Sequence, residues 1–182
     1  GFSLSALKRH ARRLAEIGVI SFQDSPNGKR WGRRDAEGRI VCPEHGVVHT
    51  GKNAGAIVMA CELARHDPDA QRDQLLAFAI EQAEHLVGRL EREDESACFP
   101  FRPGRHDPYN CSNSVIDGAA CSDALAEVVR TFGDRLSADQ RERYQHASVL
   151  HAQTYLRYCI FDKGVPAQRA WAMTGVAAAW DL

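Results

Sequence analysis

The feature that most constrains the fold of this chain is a repeated order of helical segments. Three loops each lead into a helix that begins with small residues, at Gly55-Ala56, Gly118-Ala119 and Gly175-Val176, with copies about 60 residues apart. Small residues let helices approach closely, so these three suit an inner layer, and longer helices with a charged back suit an outer layer. The order predicts an all-α fold of antiparallel helical hairpins that need neighbours to bury their apolar faces. An ordinary orthogonal helical bundle is the alternative.

Capping and stop residues set the predicted helix boundaries. Helices are predicted over residues 3–18, 54–66, 69–94, 113–133, 137–164 and 166–180. The clearest signals are a capping box formed by Ser137 and Gln140, and Pro166 in the first turn of the last helix. Two long loops, 23–53 and 95–113, separate the helices, and a short strand is predicted at 39–41. Loops of this length in a compact domain are usually functional or disordered.

Length and charge bound the domain and its partners. One soluble domain covering residues 1–182 is expected, and it has the features of a fragment of a longer chain, because it begins with Gly and stops inside an apolar run. The net charge of -1 argues against a dedicated nucleic-acid binder, so no nucleic-acid partner is expected. Basic residues do cluster in the first helix and the next loop, and they are interpreted as a solvated face and a polar loop. A patch for an acidic ligand is the alternative. The basic residues in question are Lys8, Arg9, Arg12, Arg13, Lys29, Arg30, Arg33 and Arg34.

Hydropathy and cysteine spacing bear on the compartment. No stretch of 18 apolar residues occurs, so no membrane partner is expected. The six cysteines are scattered without a Cys-x-x-Cys pair, and Cys61, Cys121 and Cys159 fall in apolar helical runs. This pattern favours a reduced chain of cytoplasmic type over a disulfide framework.

The hairpins, with their small-residue inner helices and long polar loops, resemble the α/α toroid of six-hairpin glycosidases, polysaccharide lyases and related carbohydrate epimerases. The segment 171–180 is similar to inner helices of such enzymes, and the entry at 113–118 resembles the junction where they place ligand-binding side chains. The resemblance covers about three hairpins, half a toroid, and matches no signature residue by residue. It implies a carbohydrate-active enzyme, of glycoside hydrolase or polysaccharide lyase type, that acts on a glycosidic linkage. A half toroid would expose apolar surface, so self-association or contact with the rest of the parent chain is also expected.

The second long loop holds the candidate catalytic residues. His106 or Tyr109 could act as the base of a lyase, and the amide of Asn110 or Asn113 could neutralise a sugar carboxylate. Asp117, one turn into the next helix, could instead be one of the two carboxylates of a glycosidase. A partner carboxylate would come from the first loop, which contains Asp35, Glu37 and Glu44. Each of these residues could also be a simple helix cap or loop anchor.

Further residues could line the same cleft as substrate-binding groups. Trp31 and Trp171 could stack on sugar rings. His49 and Asn53 precede the first small-residue helix, and they could face the cavity that Asn113 also faces. His151 lies on an apolar helical stripe and is interpreted as a core histidine.

A second constellation raises the possibility of a metal. Cys42, His45 and His49 lie within eight residues of one loop and are ligand types that zinc accepts. Their spacing is not that of a standard zinc finger, so no cofactor is expected and zinc is the alternative. Two non-enzymatic functions remain as alternatives to the carbohydrate-active enzyme: a helical-repeat module whose concave surface binds a protein, and a zinc-binding helical domain.

Overall fold

The structure is a computed structural model, and most of what it describes is helical. The backbone is described for residues 19–20, 32–34, 40–41, 50–67, 70–93, 96–100 and 115–182, and the side chains for 54–67, 70–92, 96–100 and 115–182. The helices are α1 (Thr50–His66), α2 (Arg72–Val87), α3 (Val115–Phe132), α4 (Ala138–His151), α5 (Arg157–Asp162) and α6 (Pro166–Trp180). A π-helical segment at Ala152–Leu156, the π turn, joins α4 to α5. At this coarse level the predicted all-α character is confirmed.

Helix ends follow the local chemistry of the sequence. Ser137 Oγ accepts a hydrogen bond from Gln140 N at 3.1 Å, and Gln140 Oε1 accepts one from Ser137 N at 3.0 Å, which confirms the capping box. Pro166 is the first residue of α6, as predicted. The helix predicted over 3–18 lies outside the described residues.

The structure contains strands that the sequence largely failed to predict. β1 (Val19–Ile20), β2 (Gly32–Arg34) and β3 (Ile40–Val41) form a three-stranded antiparallel sheet, which confirms the strand predicted at 39–41 and adds two more. Strands of two and three residues are too short to show an alternating pattern.

The predicted end of the 69–94 helix is wrong. α2 stops at Val87, where the Gly88 N–H donates to Glu84 O, and β4 (Glu91–Glu93) then pairs with β5 (Ser96–Cys98).

Helix α3 lies at the centre of the helical part. Eleven of its 18 residues are buried, and it packs against α1 on one side and α6 on the other. A Cβ atom built on Gly175 of α6 would lie 3.1 Å from the Cα atom of Ala119 in α3. The two backbones are therefore nearly as close as helices can be, so the small-residue helices α1, α3 and α6 are neighbours, with α3 in the middle.

Helices α2 and α4 are joined by a group of three polar side chains, Glu84 of α2 and Arg143 and Tyr144 of α4. The Arg143 guanidinium donates to both carboxylate oxygens of Glu84, at 2.6 and 2.7 Å, and Tyr144 Oη donates to the same carboxylate at 2.8 Å. The hydrogen bond from Arg143 lowers the pKa of Glu84, and burial raises the pKa of Tyr144. This group fixes the position of α4 over α2.

The π turn was not predicted, because residues 137–164 have the pattern of one continuous helix. Its Thr154 hydroxyl donates to Leu150 O at 2.7 Å and accepts from Ala97 N of β5 at 2.9 Å, so the turn and the β4–β5 hairpin are joined. Cys98 of β5 forms a disulfide, which corrects the expectation of a fully reduced chain, and its partner lies outside the described residues. Cys61, Cys121 and Cys159 are free and buried. None of the helices in the described ranges is long and apolar enough to cross a bilayer.

Candidate functional site

The three-stranded sheet places two consecutive arginines in its central strand. Arg33 of β2 pairs with Val19 of β1 and with Val41 of β3, and Arg34 pairs with Ile40. The edge strands contribute apolar residues at the register positions beside these arginines. An 11-residue connection, 21–31, joins β1 to β2 and contains Lys29 and Arg30. Basic residues are thus concentrated on one strand and on the connection before it.

Charge divides unevenly along the chain. Residues 1–42 contain nine Lys and Arg and four Asp and Glu, a net charge of +5, whereas residues 43–182 contain 14 and 20, a net charge of -6. The two parts together give the overall value of -1, which conceals the basic segment. Such asymmetry between parts of a chain is a signal for nucleic-acid contact that the total charge removes.

The predicted catalytic and substrate-binding residues are not brought together in the part of the chain that the structure describes. Asp117 is half-buried in the first turn of α3, and its charge adds to burial in raising the pKa of Cys121. Trp171 lies on α6 with 40% of its surface exposed, and Asn53 lies in the first turn of α1. The other candidates lie outside the described residues: Trp31, Cys42, His45, His49, His106, Tyr109, Asn110 and Asn113. Among residues 54–67, 70–92, 96–100 and 115–182, no three His, Cys, Asp or Glu are grouped as metal ligands.

His151, at the end of α4, is fully buried, which confirms its interpretation as a core histidine. Its Nδ1 atom shares a hydrogen bond of 2.7 Å with Ser122 Oγ of α3. The ring meets Phe99 edge-on and stacks on Tyr155, with centroids 5.0 and 5.5 Å apart. Burial lowers the pKa of His151 to about 3, so the imidazole is neutral at pH 7. A neutral ring enclosed in this way supports the packing of α3 on α4 and cannot supply positive charge to a ligand.

The small size of Gly118 makes room for that ring. A Cβ atom at this position would lie 2.8 Å from His151 Cε1 and 3.0 Å from His151 Nε2. Nε2 is buried and has no hydrogen-bond partner among the described residues. The glycine that the sequence presents as part of a small-residue pattern is therefore required by one particular contact.

A cluster of ion pairs joins α1, α3 and α6. Glu127 of α3 accepts hydrogen bonds from Arg65 of α1 and from Arg130, the latter at 2.6 Å, and Arg130 also donates to Ala178 O of α6 at 2.8 Å. Burial acts to raise the pKa of Glu127, but the two arginines outweigh it and lower that pKa. Burial raises the pKa of neighbouring Asp123. These two arginines are paired with a half-buried carboxylate, so their charge is compensated within the helical part.

Comparison with known proteins connects the basic segment to a family. Residues 1–42 match the family model described as the Replication protein C N-terminal domain. A curated relative from Sinorhizobium fredii, named "Putative replication protein C", is 42% identical over 40 residues, which are 22% of this chain and 10% of the relative. The match therefore spans about a tenth of that relative's length. No solved structure matches the chain.

These similarities overturn the functional prediction. The identification with the six-hairpin glycosidase and polysaccharide lyase class is wrong, and so are the carbohydrate partner and the expected absence of a nucleic-acid partner. The resemblance rested on a helix pattern that many unrelated functions share, and it matched no signature. The basic residues that were interpreted as a solvated face lie inside the segment that matches the replication protein family. The alternatives of a protein-interaction module and a zinc domain gain no support from the same findings.

Proposed function

We propose that residues 1–42 bind duplex DNA and that the chain acts in DNA replication, as a protein similar to replication protein C. The observation that carries the proposal is a coincidence of two independent features. The segment that matches the Replication protein C N-terminal domain is the same segment that holds the net charge of +5. A positive segment attracts the phosphate backbone, and neutralising phosphates releases counterions.

The order of elements in this segment suits the grooves of duplex DNA. The major groove admits an α-helix or a two-stranded β-ribbon, and residues 3–18 are predicted to form a helix. In such a helix, Lys8, Arg9, Arg12 and Arg13 are one helical turn apart in pairs, so they share one side. The antiparallel β1 and β2, with Arg33 and Arg34, come directly after it. In this arrangement the helix would contact base edges in the groove, and the basic ribbon would contact the adjacent phosphates and position the protein on the duplex.

The helical part, residues 50–182, contributes differently to this function. With its excess of acidic residues it is a poor surface for phosphates, so the DNA contacts are assigned to residues 1–42. The pairing of α1 with α2 and of α3 with α4 supports an array of antiparallel hairpins. We propose that this array of hairpins continues into a toroid-like barrel. The proposal concerns shape alone. Small-angle scattering would test it, because an extended array and a closed ring differ in radius of gyration.

The experiment that tests DNA binding is a fluorescence-anisotropy titration of the full chain against a labelled duplex at several salt concentrations. The logarithm of the association constant should fall linearly with the logarithm of salt concentration. Replacing Arg33 and Arg34 together by Ala should reduce the steepness of that line by roughly 0.9 for each phosphate contact that is lost. A second variant, with Lys29 and Arg30 replaced by Ala, keeps the test informative if the central strand does not tolerate substitution.

The matched control removes the same charge from the helical part. Arg141 of α4 and Arg157 of α5 are exposed, and replacing both by Ala should leave affinity and salt dependence unchanged. The proposal fails if the wild-type chain shows no salt-dependent binding, or if the control pair weakens binding as much as the pair in β2.

A further inference from the structure

Helix α6 presents an exposed stripe without a charged residue. The α6 stripe consists of Pro166, Ala170, Met173, Ala177 and Trp180, all of them exposed. Met173 has 57% and Trp180 87% of its surface in contact with solvent. Ala167 and Thr174, also exposed, lie beside the stripe and add no charge. Exposed apolar surface that is contiguous over a whole helix is characteristic of an interaction site.

The opposite side of α6 is already used by the core of the protein. Ala172, Gly175, Ala178 and Ala179 are its buried residues, and the helix packs on α3. The α6 stripe therefore makes no contribution to the hydrophobic core that the structure shows. Two further exposed apolar residues, Phe161 and Val165, precede it in the chain.

The spacing of the α6 stripe is that of a helix–helix seam. Its members are separated by four, three, four and three residues, which is the a and d spacing of a heptad repeat. Such a stripe accepts another helix of the same spacing, whose side chains fit between its own. The geometry points to a helix as the occupant of this surface.

We infer that the occupant is the α6 stripe of a second copy of this chain, in an antiparallel dimer whose two-fold axis passes near Met173. In that arrangement positions seven residues before and after Met173 face each other, so the large Trp180 of one copy meets the small Pro166 of the other. Ala170 and Ala177 lie three residues before and four residues after Met173, so they fall within one residue of facing each other. Large side chains at one end of the stripe and small ones at the other are complementary only when the helices run in opposite directions.

Charge also favours a second copy over a strongly acidic or basic partner. The stripe itself is uncharged, and its borders hold one residue of each sign, Arg169 and Asp181. A two-fold contact is self-complementary by symmetry, so a neutral border produces no repulsion. Antiparallel helices additionally place the positive end of each helix dipole beside the negative end of the other.

The size of the surface predicts how tightly the copies associate. A fully buried aromatic side chain removes roughly 150–250 Å² from water. With Trp180, Met173 and the three smaller stripe residues from both copies, the dimer would bury on the order of 1,000 Å², which is near the lower limit of specific interfaces. We therefore expect a reversible dimer with a dissociation constant on the order of micromolar.

Sedimentation velocity of the full chain, without DNA and at concentrations on both sides of the micromolar range, tests the inference. The wild-type chain should change from monomer to dimer as concentration rises. Met173→Glu would bring two carboxylates together at the two-fold axis and should raise the dissociation constant by about tenfold or more. Gln74→Glu, an identical charge change at an exposed position of α2, should leave it unaltered. A chain that remains monomeric throughout, or two variants that behave alike, would overturn the inference.

Cross-linking tests the antiparallel arrangement separately. Under oxidising conditions Met173→Cys should form an intermolecular disulfide, because the two copies of position 173 meet on the axis. Ala177→Cys should not, because its two copies are about 12 Å apart along the seam at 1.5 Å per residue, beyond the roughly 7 Å that a disulfide spans. Cross-linking of both variants would indicate parallel helices, and cross-linking of neither would exclude this seam. DNA binding by residues 1–42 is measured in a different assay, so either proposal can fail without the other.

Discussion

The buried His151 makes the folded protein sensitive to mild acid. Its ring is enclosed by Ser122, Phe99, Tyr155 and Gly118, and burial lowers its pKa from 6.5 to about 3. The unfolded chain keeps the ordinary value, so the unfolded state binds a proton at a pH where the folded state does not. Since the folded pKa is depressed, the stabilisation is complete above pH 6.5 and is lost progressively as the pH falls toward 3.

The size of the effect is set by the pKa shift. Each pKa unit corresponds to 1.36 kcal/mol, so the full loss is on the order of 5 kcal/mol, of which about 2 kcal/mol falls between pH 7 and pH 5. Urea unfolding followed by circular dichroism, at pH 7 and at pH 5, measures the free energy of unfolding at each pH. In that comparison the wild-type chain should lose about 2 kcal/mol more than a His151→Gln variant, which lacks the titrating ring.

The comparison with His151→Gln also controls for the other titratable residues of the chain. The seven other histidines of the chain are present in both proteins, so their contributions cancel in the difference between the two pH dependences. His151→Gln is expected to be less stable at pH 7, because it disturbs a packed site, but that offset does not enter the comparison. If the two proteins lose the same free energy of unfolding between pH 7 and pH 5, the reasoning about His151 is refuted.

Two further predictions concern packing and a partly exposed ion pair. Gly175→Ala should lower the free energy of unfolding by about 1–3 kcal/mol, because the new Cβ atom would lie 2.5 Å from a packed leucine side chain. Gly55→Ala, where nothing lies within 4 Å, should raise it by roughly 0.5–1 kcal/mol, and equal effects of the two changes in urea unfolding would contradict the close helix contact. Glu84→Gln should cost about 1 kcal/mol or less, because its partner Arg143 is 39% exposed. The pKa of Glu84 is lowered in the folded state, so this difference should be present above pH 4.5 and should vanish as acid protonates the carboxylate; a difference that persists in acid would point to packing instead.

The parts of the fold that were predictable are those determined by neighbouring residues. The capping box at Ser137 and the start of α6 at Pro166 depend on three or four consecutive residues, and both are found where the sequence placed them. Helix α3 was predicted to within a few residues because its apolar pattern persists over 18 positions. Local chemistry of this kind requires no knowledge of what packs against the segment.

The elements that were missed depend on partners far along the chain. β1 and β2 exist as strands because Val19 pairs with Arg33, and no pattern within two or three residues could show this. The sequence predicts a helix that continues to residue 94, because the charged residues after Val87 extend its charged face, whereas in the structure Glu91–Glu93 form β4. The π turn likewise contacts a distant element, since its Thr154 hydroxyl accepts a hydrogen bond from Ala97 N of β5.

The function was misread for a related reason. A total charge of -1 averages a basic segment with an acidic one, and the average resembles neither. Charge computed separately for residues 1–42 would have indicated nucleic acid before any comparison. The residues proposed as catalytic, by contrast, were selected for chemical type within two loops, and type without geometry does not distinguish a site from a helix cap.

The π turn has a consequence for how this chain could change in length. A π turn accommodates one residue more than regular α-helix over the same stretch, and Ala152 and Leu156 are its two buried residues. Loss of one residue within 152–156 could be absorbed by conversion to regular α-helix, while α5 would keep its present orientation. Loss of one residue within α4 itself would instead rotate the remainder of that helix by about 100° and remove buried groups from the core. Single-residue insertions and deletions among homologous chains should therefore accumulate at the π turn and be rare in the helix before it.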